Sequence, residues 1–396
     1  MAARAASRII RVKGLSRCVC RFEIGCAQGR CKAHGSHRWL ANPGQTAKPP
    51  GDLSQQRFPC ISGDLNLSEY DVLCIGNAIV DIIARCDEAF LEDNNIIRGA
   101  MNLIDVDRAT LLYDRMGQAI EASGGSAGNT AAGIAGFGGK AAYFGKVSDD
   151  ALGKIFAHDI RALGVAFDTK PLDGHPPTAR SMIFVTPDGE RSMNTYLGAC
   201  VELGPEDVEE KKASGSKVTY FEGYLWDPPR AKEAIRMTAD AAHAAGREVA
   251  MSLSDPFCVD RYRDEFLELM RSGRVNIVFA NEHELLSLYQ TASFDSALEE
   301  IRRDTSMAIV TRSEKGSIIV TRDETIPVDA IAIDELVDTT GAGDLYAAGF
   351  LYGYTNGRSL ADCGRLGSFA AGLVIQQYGP RPQKDLRYEA EQAGLI

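Results

Sequence analysis

Seven residues near the carboxyl end, Asp338-Thr339-Thr340-Gly341-Ala342-Gly343-Asp344, carry the densest chemistry in this sequence. They follow a strand-like stretch ending at Val337 and precede a helical one over 345–354. Gly341, Ala342 and Gly343 have little bulk, so their amides can come close to an anion. At a helix N-terminus those N–H groups lack intrahelical partners and sit at the positive end of the dipole. Asp344 is then a carboxylate beside an anion site. It can take the proton of a hydroxyl while the oxygen attacks phosphorus, and the amides can neutralise the migrating phosphoryl without a Lys. The plainer alternative is a tight turn in which Asp344 only caps the helix.

Positioning such a corner requires a sheet with helices around it, and the chain alternates accordingly. Short apolar runs at 71–76, 141–144, 217–221, 248–253, 276–280, 307–311 and 316–321 read as buried strands. Helical stretches lie between them, at 130–136, 152–163, 229–245, 261–272, 282–289, 294–303, 343–354 and 360–376. The order predicts a three-layer α/β/α fold with a mostly parallel central sheet. Two segments, 83–107 and 178–197, break the alternation and read as a small β-rich lid. The second has two alternating runs around Pro187-Asp188-Gly189, a hairpin pattern. A lid over the carboxyl ends of the strands would keep water from a reactive phosphoryl.

Composition narrows the partners. The net charge is −11 over 396 residues, which argues against a general nucleic-acid or membrane-surface binder. Residues 1–68 differ: they hold 11 Lys and Arg against 3 Asp and Glu, leaving 32 and 51 for the remainder. This basic extension is expected to be disordered. It is either an organelle-type leader or an over-extended start, with 69–390 as the folded domain and 391–396 as a tail. Cys18, Cys20, Cys26 and Cys31 match no zinc-finger spacing, and the ten cysteines read as reduced thiols of a cytoplasmic protein. A P-loop, a zincin helix, a dinucleotide fingerprint and a nucleophilic-serine elbow are not expected.

Four motifs in order, spread over roughly residues 70–390, resemble the PfkB or ribokinase-like kinases of carbohydrates and nucleosides. They are Gly76-Asn77 followed by Asp81, the run from Gly124 to Val147, Asn281-Glu282-His283-Glu284, and Asp338–Asp344. The resemblance implies ATP and Mg2+ as cofactors, Asp344 as base, and the Gly341, Ala342 and Gly343 amides as the anion hole. It implies Glu284 near Mg2+, through water, and Asn281 near the nucleotide phosphates; a capped helix is the alternative for that pair. Asp81 would bind two hydroxyls of a sugar or ribose, with Asn77, Gly124, Gly125, Ser126 and Asn129 completing the pocket. ATP would lie against Thr311 and Gly316, with Ser368 to Gly372 flanking the adenine. Many relatives carry Gly where this chain has Ser313. Asp338 and the turn at Gly379 would offer carbonyls to a monovalent cation, K+, as in some relatives.

The acceptor is read as a nucleoside, adenosine first. Gly76-Asn77 with Asp81, Ser252-Leu253-Ser254-Asp255-Pro256-Phe257 and Phe279-Ala280-Asn281-Glu282 look closest to the adenosine-kinase branch. Phe184, Tyr196 and Trp226 are candidate stacking surfaces for a purine, or core and lid packing. A sugar acceptor of the same family, and a non-catalytic ligand sensor on this fold, are the alternatives. Monomer and homodimer are both open.

Overall fold

The computed structural model describes residues 6–10, 18–27, 30–37 and 68–396. The chain divides into two units, 1–64 and 65–396. In the first, where disorder is expected, strands β1 (Ala6–Ile10), β2 (Cys18–Ala27) and β3 (Arg30–His37) pair antiparallel in that order. The cause is legible afterwards: Cys18, Cys20, Phe22, Ile24 and Cys26 alternate with other residues, the period of a strand.

The second unit is built on an eight-stranded sheet. Its strands are β4 (Tyr70–Ile75), β8 (Ala141–Phe144), β11 (Ser216–Glu222), β12 (Glu248–Ser252), β13 (Ile277–Asn281), β14 (Met307–Thr311), β15 (Ser317–Thr321) and β16 (Thr325–Val328). The order is β16-β15-β14-β13-β12-β11-β4-β8, parallel from β14 to β8, with β15 and β16 antiparallel at one edge. All seven strand expectations fall on these strands. Strand β4 shows why its sequence has no polar face. Val72 and Cys74 enter one core, Leu73 and Ile75 the other, and all four are buried.

Helices cover both faces. One core receives α3 (Ser126–Gly136), α4 (Ala151–Ala162), α10 (Ala342–Thr355), α11 (Leu360–Val374) and α12 (Leu386–Gln392). The other receives α5 (Glu210–Ser214), α6 (Pro229–Ala244), α7 (Pro256–Arg271), α8 (Glu282–Tyr289) and α9 (Phe294–Asp304). Among the described residues no helix is long and apolar enough to cross a membrane.

The lid is a second sheet of order β6-β10-β9-β5-β7, formed by β5 (Ile79–Arg85), β6 (Met101–Leu103), β7 (Ala119–Ser123), β9 (Ala179–Val185) and β10 (Arg191–Tyr196). Its first segment is therefore longer than the 83–107 expected from sequence. It starts at Ile79, includes α1 (Glu88–Asp93) and α2 (Val106–Arg115), and returns at Ser123. The hairpin at Pro187-Asp188-Gly189 forms as expected, with Gly189 at φ +87°. Val80, Ile82 and Phe184 pack with Leu91 and Leu112 of α1 and α2. The opposite face bears Asp81 and Arg191, with an apolar row, Ile120-Ile83-Ile183-Met193-Met101, running across all five strands between them.

Candidate active site

The site lies where β4, β11, β12, β13 and β14 end, beneath the lid. The segment leading into α10 is not the strand expected at Val337. Residues 329–341 have no regular structure, and the amides of Val337 and Asp338 donate to Ile375 O, not to a strand partner. Gly341 caps α10 at φ +77°, and a Cβ there would lie 2.5 Å from Pro380 Cβ, so only glycine fits. A Cβ on Gly343 would meet nothing within 4 Å, so the first turn of α10 opens onto free space.

Of the three amides expected to form an anion hole, one is spent. Ala342 N donates to Thr339 O at 3.2 Å because the αL cap at Gly341 folds the chain into a turn there. The amides of Gly341, Gly343 and Asp344 donate to no described residue. The donor set is thus shifted one residue towards the helix.

Asp344 stands in that turn, and its carboxylate is held from α3. Ser126 Oγ donates to Oδ1 at 2.6 Å and Asn129 Nδ2 to Oδ2 at 2.8 Å. Thr130 Oγ1 donates to the Asp344 carbonyl at 3.2 Å. Burial raises the Asp344 pKa to about 6, against the lowering pull of those two donors and of Arg381. Ser126 and Asn129, expected in the acceptor pocket, therefore grip the candidate base. Gly124–Gly128 does have the G-x-S-x-G spacing, contrary to expectation, but the Ser126 hydroxyl is committed to Asp344.

Asp81 is on β5 of the lid sheet. No described residue donates a hydrogen bond to its carboxylate, and burial raises its pKa to about 6. Gly124 lies against it; a Cβ there would sit 2.4 Å from Asp81 Oδ2. Gly125, at φ +83°, packs on the Asn77 carbonyl. Asp81 and Asn77 thus flank one two-glycine turn. Asn77, however, is buried, and its Nδ2 is already donated to Glu222 Oε1 at 2.7 Å.

Two charged residues were not anticipated. Glu222 ends β11, at the carboxyl edge where ligands of such sheets bind. An acid closing the apolar run 218–221 was a readable signal. Arg381 gave none, since it lies between two prolines outside any periodic segment. Its guanidinium donates to Ser123 O at 2.9 and 3.1 Å and to Gly128 O at 2.9 Å. It ties the lid's return strand to α3 and lies within electrostatic reach of Asp159, Asp81 and Asp344.

The nucleotide-side candidates are divided. Asn281 and Thr311 are paired across β13 and β14. Asn281 and Glu284 form a reciprocal capping box, with Asn281 Nδ2 to Glu284 Oε1 at 2.6 Å, Asn281 N to Oε2 at 2.9 Å and Glu284 N to Asn281 Oδ1 at 2.8 Å. Burial raises the Glu284 pKa to about 7, and nearby Asp255 adds to the rise. Tyr224 lies within electrostatic reach of Asp255, Glu284 and Asp344, so these three carboxylates gather around one side chain. Gly316, at φ +79°, lies on the Val328 carbonyl. Ser313, at the position where many relatives have Gly, occupies the left-handed region at φ +51°. Ser368 Oγ donates to Asp329 O at 2.9 Å, and Gly372 makes room for Ile331, so both face the 329–337 loop.

Asp338 is buried. Its Oδ2 accepts from Gly379 N at 2.8 Å and lies 2.6 Å from Arg191 Nη2, while Oδ1 accepts from Thr340 N at 3.0 Å. Its carboxylate is matched by the guanidinium, whereas the expectation for K+ concerns the main-chain carbonyls of Asp338 and of the turn at Gly379. Among the described residues no group of three or more His, Cys, Asp or Glu could hold a metal. Glu284 and Asp255 do fit the water shell of a cation brought in on phosphates: Glu284 is buried, and no basic group acts on it. Of the aromatic candidates, Trp226 is fully buried beside Phe221 and donates Nε1 to Glu265, and Phe184 packs on Phe90. Both are core. Tyr196 is half-buried on β10.

Residues 71–386 match the pfkB family of carbohydrate kinases. A solved structure titled adenosine kinase from Sinorhizobium meliloti is 71% identical, with TM-score 0.77, over 82% of this chain and 99% of that one. One titled probable sugar kinase from Rhizobium etli is 68% identical, with TM-score 0.79, over 83% and 100%. Adenosine kinase 1 of Arabidopsis thaliana is 25% identical over 79% of this chain and 96% of that relative.

Proposed function

This chain belongs to the pfkB family of carbohydrate kinases and is an ATP-dependent phosphotransferase; on that footing we propose that its acceptor is a nucleoside, adenosine first, phosphorylated on the ribose 5′-hydroxyl. The observation that carries the chemistry is the Asp344 carboxylate, gripped at 2.6 and 2.8 Å beside amides with no protein acceptor. Held by Ser126 and Asn129, the carboxylate cannot rotate away from an incoming hydroxyl. Raised only to about 6, its pKa still leaves it ionised, and so a base, at neutral pH, and makes proton uptake easier than at an ordinary aspartate. The Gly341, Gly343 and Asp344 amides would then neutralise charge gathering on the phosphoryl oxygens. Mg2+ arriving with ATP would screen the phosphate charge, and Glu284 with Asp255 are the residues that would hold its water shell.

A nucleoside is favoured by the lid face. Asp81 offers a free carboxylate to a vicinal diol, and the apolar row through Ile83, Ile183 and Met193 offers a purine a dry surface on the same face. A comparable likeness to a probable sugar kinase, 68% identical, keeps a sugar acceptor as the second reading. The sensor reading is withdrawn, because the family is one of phosphotransferases.

The test is ADP release with MgATP and a panel of adenosine, other nucleosides, ribose and hexoses. Adenosine should be turned over with the highest kcat/KM; a hexose exceeding it would overturn the nucleoside reading. Asp344→Asn should lower kcat by about 10²-fold or more. In the unaltered enzyme kcat should fall as pH drops through about 6, where Asp344 takes up its proton.

A further inference from the structure

Glu222 is the carboxylate this mechanism leaves unused, and it is almost completely enclosed, at 1% exposure. Its Oε1 accepts from Asn77 N at 2.9 Å and Asn77 Nδ2 at 2.7 Å; its Oε2 accepts from Ala127 N at 2.6 Å. Gly76 makes the approach possible, since a Cβ there would lie 2.3 Å from Glu222 Oε2. One side chain therefore joins the loop after β4 to the first turn of α3. That same turn carries Ser126 and Asn129, which hold Asp344.

An ionised carboxylate can only accept hydrogen bonds. Facing it, the Asn77 amide must turn its nitrogen inward, and Asn77 Oδ1 accepts from no described residue. We propose that Glu222 is a positioning and specificity-determining residue: by taking the Asn77 nitrogen it leaves Oδ1 for the acceptor, so that Asn77 and Asp81 together demand hydroxyl donors. The proposal rests on the reading of this pocket as the acceptor site. It also explains why an acid is tolerated there. The three N–H groups, one of them at a helix N-terminus, are its stabilisation.

Protonation reverses the arrangement. A Glu222 carboxyl group becomes a donor, Asn77 can then turn its oxygen inward, and the acceptor meets an NH2 where it needs an oxygen. Burial, with Asp344 adding to it, raises the Glu222 pKa to about 7, so the reversal falls near neutrality. Titratable groups within electrostatic reach of Glu222 are Cys74 on β4, Tyr143 on β8, Cys200 after β10, Cys258 on α7 and Asp344 on α10, and Arg381 acts on the neighbouring Tyr143.

The experiment is acceptor KM and kcat against pH at saturating MgATP, for the unaltered enzyme, Glu222→Gln, Asn77→Ala and the double variant. The acceptor is adenosine, or ribose if adenosine is not used. The unaltered enzyme should show KM rising several-fold between pH 8 and 6.5, apart from the kcat limb near 6 that belongs to Asp344. Glu222→Gln should raise KM about 10-fold at pH 8, the scale of one hydrogen bond set wrongly, and flatten its pH dependence. Asn77→Ala should do the same, and the double variant should add nothing. A merely structural Glu222 would lower thermal stability while leaving the KM profile in place, and that result overturns the proposal. If Glu222→Gln does not fold, Asn77→Ala decides alone: survival of the limb between pH 8 and 6.5 sinks the idea. A lost Asp344 limb with the KM limb intact counts against the base assignment only. Turnover of neither acceptor by the unaltered enzyme overturns both.

Discussion

Arg191 Nη2 and Asp338 Oδ2 stand 2.6 Å apart, both side chains almost fully buried, and join the lid hairpin to the loop that leads into α10. The pair therefore ties the lid to the segment that ends in the Gly341 cap of α10. Arg191 Nε and Nη1 have no partner among the described residues, and the Nη2 contact with Asp338 is a charge pair without hydrogen-bond geometry.

Removing one partner of a buried pair leaves an uncompensated charge. Arg191→Ala is expected to weaken lid closure by about 3–5 kcal/mol while the main sheet stays folded. Hydrogen exchange should show faster exchange in β9 and β10 and unchanged protection in β11 to β13. Arg191→Lys should recover only part of this, since an ammonium lacks the planar fork. Uniform loss of protection across both sheets would contradict the lid assignment.

Gly341 and Gly343 should separate folding from function. Gly341→Ala forces a side chain into the left-handed region and against Pro380, costing about 2 kcal/mol or more. Gly343→Ala meets no protein atom and gains helix propensity. Its melting temperature should hold or rise slightly, while kcat/KM for ATP falls about 10-fold or more because a methyl group crowds the anion turn. Equal activity in Gly343→Ala and the unaltered enzyme would remove the anion-hole proposal.

Ser313→Gly should stabilise. Ser313 sits at φ +51°, a conformation that costs a non-glycine residue about 1 kcal/mol, in the turn between β14 and β15. Part of the gain is returned as chain entropy, so a rise of about 2 °C or less in Tm is expected. A decrease would mean that the Ser313 side chain makes a contact worth more than the strain.

The ligand-free protein should be more stable at pH 5.5 than at pH 8. Asp81 and Asp344 are raised to about 6, Glu222 and Glu284 to about 7, each chiefly by burial. Folded pKa values above the unfolded ones mean that the folded state binds protons more tightly. That contribution is complete below the unfolded pKa values near 4 and is lost as pH rises through 6 to 7. Thermal melts in matched buffers check the sign. A Tm falling steadily from pH 8 to 5.5 would show that these carboxylates are not buried as described.

Much of the fold was readable because its signals are local. The buried runs 71–76 and 307–311 state their strands through composition, and Pro187-Asp188-Gly189 states its turn. The lid return Ala119–Ser123 was not readable, since its residues are neither strongly apolar nor cleanly alternating and its pairing with β5 supplies the order. Asn77 was assigned to the acceptor from its motif, but the burial of Glu222 beside it determines which Asn77 atom is left over.

By itself the sequence determined the chemical parts: a carboxylate three residues beyond a glycine cap, and a parallel sheet to carry it. These follow from contacts within a few residues, where backbone preference and side-chain size settle the geometry. Tertiary structure decided how the parts are used. Ser126 and Asn129 reach Asp344 across 218 and 215 residues, Glu222 reaches Asn77 across 145, and Arg191 reaches Asp338 only because the lid folds over the loop. Such contacts exist when two cores close on one sheet and bring its carboxyl edges together, and no spacing along the chain encodes that distance.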